Sequence, residues 1–321
     1  MNEKKASGFP GQEHLMLIVL TAACIIFFSV MKHSFFSLDS FGSIARQIPE
    51  IGLFSMAMML PMLVGGIDLS VIASANLGSI LMSMFMTSRI EKGEENVPVV
   101  IAAILICLVV CTAVGIINGV IVAIFRIPAM LVTLGMQMAL TGISLGITRG
   151  GTLSGYPASF VAIGNGSVLG IPNQFLFFIV AAAALMVILQ KTPFGTKLRM
   201  YGSNPVATVY SGVNEYSLLI RTHMLSGLYV GFAAVVMCSR LTSASAGAAA
   251  NYLMRAILIA VLGGVDPNGG RGKVAGVLWA VLLFQCMATG LNILRVNSYI
   301  VIALYGVILL VSVFARTRRD A

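Results

Sequence analysis

The chain is predicted to be an all-α, polytopic bundle of membrane-spanning helices, and three observations predict it. Hydrophobic residues fill 58% of its 321 positions and charged residues only 10%, well under the roughly 25% charged usage of soluble domains. Mean hydropathy is +0.98, and apolar runs approaching the roughly 20 residues that a helix needs to cross a bilayer recur from end to end. Runs such as IAAILICLVV and FIVAAAALMVILQ lack the alternation of a membrane β-barrel. Because every backbone polar group must be satisfied inside lipid, helices are then the remaining spanning element.

In order, the runs cover 14–31, 45–64, 69–87, 97–125, 127–147, 173–190, 217–239, 253–265, 274–295 and 298–315. They amount to about ten spans, with a range of eight to eleven set by span length. The run ending near Leu262 is short and the one from Val97 is long, which points to a re-entrant or tilted piece. Lys4 and Lys5 precede the first run, but no small-x-small cleavage site closes it and it continues to Met31, so it reads as a retained span rather than a signal. Residues 1–321 read as a single transmembrane domain that includes a polar loop at 191–216.

The five cysteines, Cys24, Cys107, Cys111, Cys238 and Cys286, all lie inside apolar runs without disulfide or zinc spacing. Cys107 and Cys111 share a helix face as packing residues. No metal or cofactor is expected. The net charge of +9 speaks to orientation rather than to nucleic acid. With ten spans and the N-terminus inside, Lys4, Lys5, Lys191, Lys197, Arg199, Arg271, Lys273 and Arg316 gather on one side, while Glu91, Glu94 and Glu95 fall on the other. Both termini and the loop 191–216 are therefore expected in the cytoplasm.

Within that loop, Asn204 before Pro205 is a helix start, since Asn caps well and Pro fits the first helical position. A short helix should follow with Val206, Val209 and Tyr210 on one side, closed by Gly212 in the left-handed conformation. It is too short to be stable alone. It must rest either on the membrane surface or on a protein partner, and both readings stand.

GGIDLSVIASANLG (65–78) aligns without gaps on GGVDPNGGRGKVAG (263–276), matching both glycines, the Asp and the final Gly. In each copy Gly65 and Gly66, or Gly263 and Gly264, should end one helix, and Asp68 or Asp266 should cap the next. Paired helix breaks beside polar turns point to duplicated transporter folds. For Asp68, helix capping and a substrate or coupling role both remain. Asn76, Asn118, Gln137, Gln285 and Asn292 sit inside spans, where polar groups are costly. They are candidates to line a pathway or to bond between helices. Being amides, with no intramembrane cluster of carboxylates, they suit a neutral polyhydroxylated solute better than a cation. Gly135, Gly142 and Gly146 read as close helix packing. An ion-coupled secondary transporter remains the rival class, but His14, His33 and His223 sit towards run ends. No span pairs His with Asp, and HExxH and paired carboxylates are missing, so an enzyme is not expected.

KTPFGTKLRMYGSNPVATVYSGVN (191–214) resembles the cytoplasmic coupling loop of ABC-transporter permeases of the ribose-type sugar family, roughly TxFGxxxxAxGxNxxAAxxSGI. VGGIDLSV at 64–71 resembles that family's GGhDLSVGS segment, and LGGVDPNGGRGKVAGVL at 262–278 its LGGxxLxGGRGxxxGTL segment. The resemblance runs from about Ile51 to Leu310; Ile72 and Ala73, Ser203, Val206 to Thr208, Asp266 and Pro267 depart from the pattern. It implies a permease subunit of the inner membrane that pairs with a second permease, identical or paralogous, to carry a monosaccharide or similar small polar solute. It implies an ATPase on the cytoplasmic face, met by Phe194, Gly195, Gly202, Asn204, Pro205, Ala207 and Gly212, and a solute-binding protein outside. Nucleoside or branched-chain amino acid cargo stays open. No GxxxxGK[ST] segment occurs in the chain, in keeping with ATP hydrolysis on a separate subunit.

Overall fold

The computed structural model describes residues 12–91, 94–297, 299–308 and 310. The chain folds into α1 (Gln12–Met31), a 3-10 turn at His33–Phe36, α2 (Leu38–Leu63), α3 (Val71–Arg89), α4 (Val97–Phe125) and α5 (Ala129–Thr148). After these come α6 (Ala158–Asn165), α7 (Asn173–Lys191), α8 (Pro193–Ser203), α9 (Pro205–Tyr210), α10 (Glu215–Leu241), α11 (Tyr252–Leu262), α12 (Val274–Ile293) and α13 (Tyr299–Ile308). The only strands among the described residues are two-residue pieces: β1 (Leu153–Ser154) pairs antiparallel with β4 (Ser243–Ala244), and β2 (Ser167–Val168) with β3 (Ile171–Pro172). Leu169 and Gly170, both with positive φ, make the tight β2–β3 turn that such a hairpin requires.

This is a helical membrane bundle. Six described helices, α3, α4, α5, α7, α10 and α12, are long and apolar enough to cross a bilayer. The apolar parts of α1, α11 and α13 are shorter, and the 26-residue α2 carries Asp39, Arg46 and Glu50. α11 has only 11 residues, about 16 Å at 1.5 Å per residue, roughly half a bilayer core.

The centre of the bundle is α10 packed between α4 and α2, with α3 filling the angle between α4 and α5. In α3's most apolar stretch 72% of the residues are buried, against 17% in α5, so α3 is enclosed by protein and α5 is a peripheral helix. Helices approach where side chains are smallest. A Cβ on Gly115 or Gly119 of α4 would strike the backbone of His223 or Ile220, and one on Gly227 or Gly231 of α10 would strike Cys111 or Leu108. Both helices thus present glycines four apart, the close-packing device of membrane helices. Within the chain the expected close packing of Gly135, Gly142 and Gly146 is not met: a Cβ at any of the three meets none of the described residues within 4 Å. Packing is decided by which helix faces the glycines, not by their spacing along the chain.

At one end of the bundle, the far end, β1–β4 ties the segment after α5 to the end of α10, and Asn165 of α6 donates to the carbonyl of Ser239. At the other end the last turns of α2, α4 and α11 meet the first turns of α3, α5, α10 and α12 around α8 and α9. This junction is where the three sequence motifs come together.

Candidate coupling site

The 191–216 segment is two helices rather than one. Pro193 starts α8, in which Gly195 and Leu198 are buried. A Cβ on Gly195 would lie within 2.1 Å of the Leu189 carbonyl oxygen, so α8 folds back hard against the end of α7. Arg199 secures that corner by donating to the same carbonyl at 2.7 Å. The sequence reading passed over α8 because its interior is polar; only packing against α7 and α10 makes it a helix.

Asn204 then caps α9, its Oδ1 accepting from the Ala207 N–H at 2.9 Å. Gly212, at φ +83°, ends it: the Gly212 N–H bonds to Val209 O and the Val213 N–H to Thr208 O, the paired closure of a Schellman end. Val206, Val209 and Tyr210 are all exposed, with Tyr210 at 88%; the buried residue of α9 is Thr208. The apolar side of this short helix is left uncovered by its own chain. Beside it, Thr196, Arg199, Met200, Ser203, Ala207 and Ser211 line a groove of about 440 Å³ between α8 and α9.

Gly202 joins α8 to both glycine segments. A Cβ there would stand 2.0 Å from Leu63 O, at the end of α2, and 2.3 Å from Gly270 N. The Gly270 N–H donates to Leu63 O at 3.0 Å, and a Cβ on Gly269 would meet Gly202 O and Gly65 N, both at 2.8 Å. Gly65, Gly202, Gly269 and Gly270 therefore form one backbone-to-backbone contact between the coupling segment and the two helix ends.

Those ends share a Schellman closure. Gly66 N–H bonds Pro61 O with Gly65 at φ +81°, and Val265 N–H bonds Ala260 O with Gly264 at φ +86°. Gly65 thus corresponds to Gly264, one residue away from the ungapped alignment, which paired it with Gly263. Asp68 is buried but does not cap α3: the N-cap is Ser70, which makes no side-chain cap bond, and Asp68 Oδ1 accepts from the Ser70 N–H at 2.8 Å and the Ser70 hydroxyl at 2.6 Å in the turn before the helix. The expectation that Asp266 caps the next helix is overturned. α12 begins only at Val274, and the Asp266 carboxylate accepts from the Asn268 N–H inside a glycine-rich turn.

The five amides do not converge. Asn118 donates to Ser70 Oγ at 2.8 Å and so joins the Asp68–Ser70 turn. Asn76 donates to Ala246 O and Ala248 O, and Gln285 to Gln47 and Thr289. Gln137 is half-buried, and Asn292 is exposed at the end of α12, where its carbonyl accepts the Arg295 N–H.

A cavity of about 560 Å³ lies against the junction, bounded by Gly65, Gly66, Tyr201, Val206, Glu215 and His223. Arg126 and Glu215 bridge its rim at 3.3 Å. Burial, and then the Glu215 carboxylate, push the Tyr201 hydroxyl above its ordinary range, with Arg126 opposing, so it stays protonated and able to donate. His223 is fully buried, not at a helix end; its Nδ1 donates to Leu219 O at 3.0 Å, and its Nε2 has no partner among the described residues. Sequence reasoning also missed the buried Glu50, which pairs with Arg240. The signal was there, a carboxylate within the run 45–64, where charge is expensive.

The chain is thus a many-helix membrane protein whose polar segment 191–216 packs against the ends of two helices. Residues 40–313 match the family described as branched-chain amino acid transport system / permease component, and the chain belongs to it. It is 31% identical over 299 residues to a ribose import permease of Bacillus subtilis, covering 92% of this chain and 90% of that one. A ribose import permease of Haemophilus influenzae is 32% identical over 306 residues, covering 94% and 91%. The D-allose permease of Escherichia coli is 27% identical over 314 residues, covering 97% and 94%. No solved structure matches the chain. As a permease of the ribose type the chain is a subunit of a sugar-importing ABC transporter, and not an enzyme.

Proposed function

We propose that two permease chains, this one with a copy or a paralogue, form the path by which an ATP-driven importer brings a monosaccharide across the cytoplasmic membrane. The observation that carries the reading is the contact of Gly202 with Leu63 and Gly270, which links the coupling segment to the ends of two helices. A separate ATPase docks on the cytoplasmic side in the groove of α8 and α9 and covers Val206, Val209 and Tyr210, apolar groups left exposed. ATP-driven closure shifts α8 and α9 as a unit, because α8 and α9 abut at Asn204 and pack on each other. The shift reaches α2 through Leu63 and α12 through the turn at Gly269 and Gly270. A solute-binding protein delivers cargo at the far end.

The chain makes ten crossings, counting α1, α2, α11 and α13, with both termini on the side of the junction; successive helices reach that side alternately, and the positive residues gather there. α5, peripheral and with three uncovered glycines, is the helix offered to the second permease. Three relatives named for ribose or allose favour a monosaccharide over a nucleoside or a branched-chain amino acid.

Co-purification in mild detergent tests the reading. An ATPase that accompanies the wild type and is lost with Ala207→Glu, while the variant inserts normally, is the expected result; a chain that recruits no ATPase overturns it. Gly195 is no probe of docking, since any side chain there collides with Leu189.

A further inference from the structure

α10 ends at Leu241, β4 anchors the chain at the far end, and residues 245–251 then run without helix to the start of α11 at Tyr252. Because α11 is about 16 Å long and finishes at the junction, its first turn lies near mid-depth in the bilayer. Asn76, six residues into α3, fixes the loop at that depth by donating to Ala246 O and Ala248 O, both at 2.9 Å. Irregular backbone at membrane depth persists only where protein covers it or where it lines water. Gly247, Ala250 and Asn251 are exposed in this chain.

The walls of this loop carry charge and unmet hydrogen-bonding capacity. Glu50, 1% exposed on α2, pairs through Oε2 with Arg240 Nε, and Arg240 also reaches the Tyr252 hydroxyl at 3.4 Å. A buried ion pair is weak evidence for stability, and inside a membrane it marks function. Two buried acceptors, Glu50 Oε1 and Asn76 Oδ1, accept no hydrogen bond among the described residues, although the Tyr252 hydroxyl stands beside the Glu50 carboxylate. The Asn76 assignment is forced, because both of its partners are carbonyls, which only accept. The N-cap Asn251 makes no side-chain bond to the α11 backbone, so the positive end of this half-helix is also uncapped by its own cap residue.

We propose that loop 245–251 and the first turn of α11 line the translocation path at mid-membrane, where Glu50 and Asn76 accept hydroxyl hydrogens from a neutral polyhydroxylated solute. The proposal rests on the import reading for its solute, but not for the position of the path. It places solute contact in this loop rather than in the GGxD segments. Hydroxyl groups match the site because each supplies the donor that both oxygens lack, and the Glu50–Arg240 pair is neutral overall, which favours neither cation nor anion.

Cysteine accessibility in the assembled transporter, in lipid nanodiscs, tests it. Ala250→Cys, with Asn251→Cys as a second position, should react with a charged methanethiosulfonate at least about tenfold faster than Val180→Cys on the exposed outer side of α7, a gap of about 1.4 kcal/mol in barrier. D-Ribose or D-allose should slow that reaction and leucine should not. Glu50→Gln should keep the fast reaction and lose the protection. Reaction at both loop positions no faster than at Val180→Cys overturns the path, and sugar protection undiminished in Glu50→Gln overturns the contact. Fast, sugar-protected reaction in a chain that recruits no ATPase would uphold this site while removing the ATP-driven reading.

Discussion

Segments 64–71 and 262–274 share a sequence pattern and a helix closure, yet the chain uses them differently. The first is short and tied inward: Asp68 is buried, Ser70 is held by Asn118, and the Thr133 hydroxyl of α5 accepts the Leu69 N–H at 3.0 Å. The second is longer, with Gly269, Gly270 and Gly272 all at positive φ and a half-buried Asp266 whose carboxylate accepts from the Asn268 N–H of its own turn. One is an anchor for three helices; the other is a contact for α8. A repeated glycine pair specifies how a helix ends, and the residues after it decide which neighbours that end meets.

Substitutions sort this contrast by size, read as thermal and denaturant unfolding of the purified chain. The largest loss is expected where the two segments and α8 meet. Gly202→Val puts atoms into two backbones at once and should cost about 3 kcal/mol, the upper range of overpacking; a variant as stable as wild type would dissolve the shared contact. Asp68→Ala leaves two donors of Ser70 without their acceptor and should cost about 2 kcal/mol. Gly264→Ala forces a left-handed residue and should cost about 1 kcal/mol. The smallest effect belongs to Asp266→Ala, under about 0.5 kcal/mol, as for a surface change. Equal losses at Asp68 and Asp266 would erase the distinction between the two segments.

Much of this was legible in the residues. The run predicted at 97–125 is α4 itself, and 173–190 and 217–239 fall within a residue or two of α7 and α10. The cap at Asn204, the start at Pro205 and the left-handed Gly212 follow from chemistry within a few residues of chain. What escaped reading was α8, whose interior is polar, and the direction in which small residues face. Gly135, Gly142 and Gly146 meet none of the described residues, whereas Gly115, Gly119, Gly227 and Gly231 hold α4 to α10. Glu50 was visible as a charge in an apolar run, but its partner was not: Arg240 lies 190 residues away in the chain.

The sequence by itself determined that this chain is a bundle of membrane helices and where most of them begin and end. Those outcomes depend on transfer of apolar side chains to lipid, on backbone bonds within a segment and on capping groups a few residues off, all of them local. Tertiary structure decided that Gly65, Gly202, Gly269 and Gly270 touch, that Asp68 is sealed while Asp266 is not, and that a loop near Ala246 is pinned by Asn76. These depend on which surfaces meet once the helices pack, a choice made between residues far apart in the chain and set by the fit of whole helix faces rather than by any short pattern.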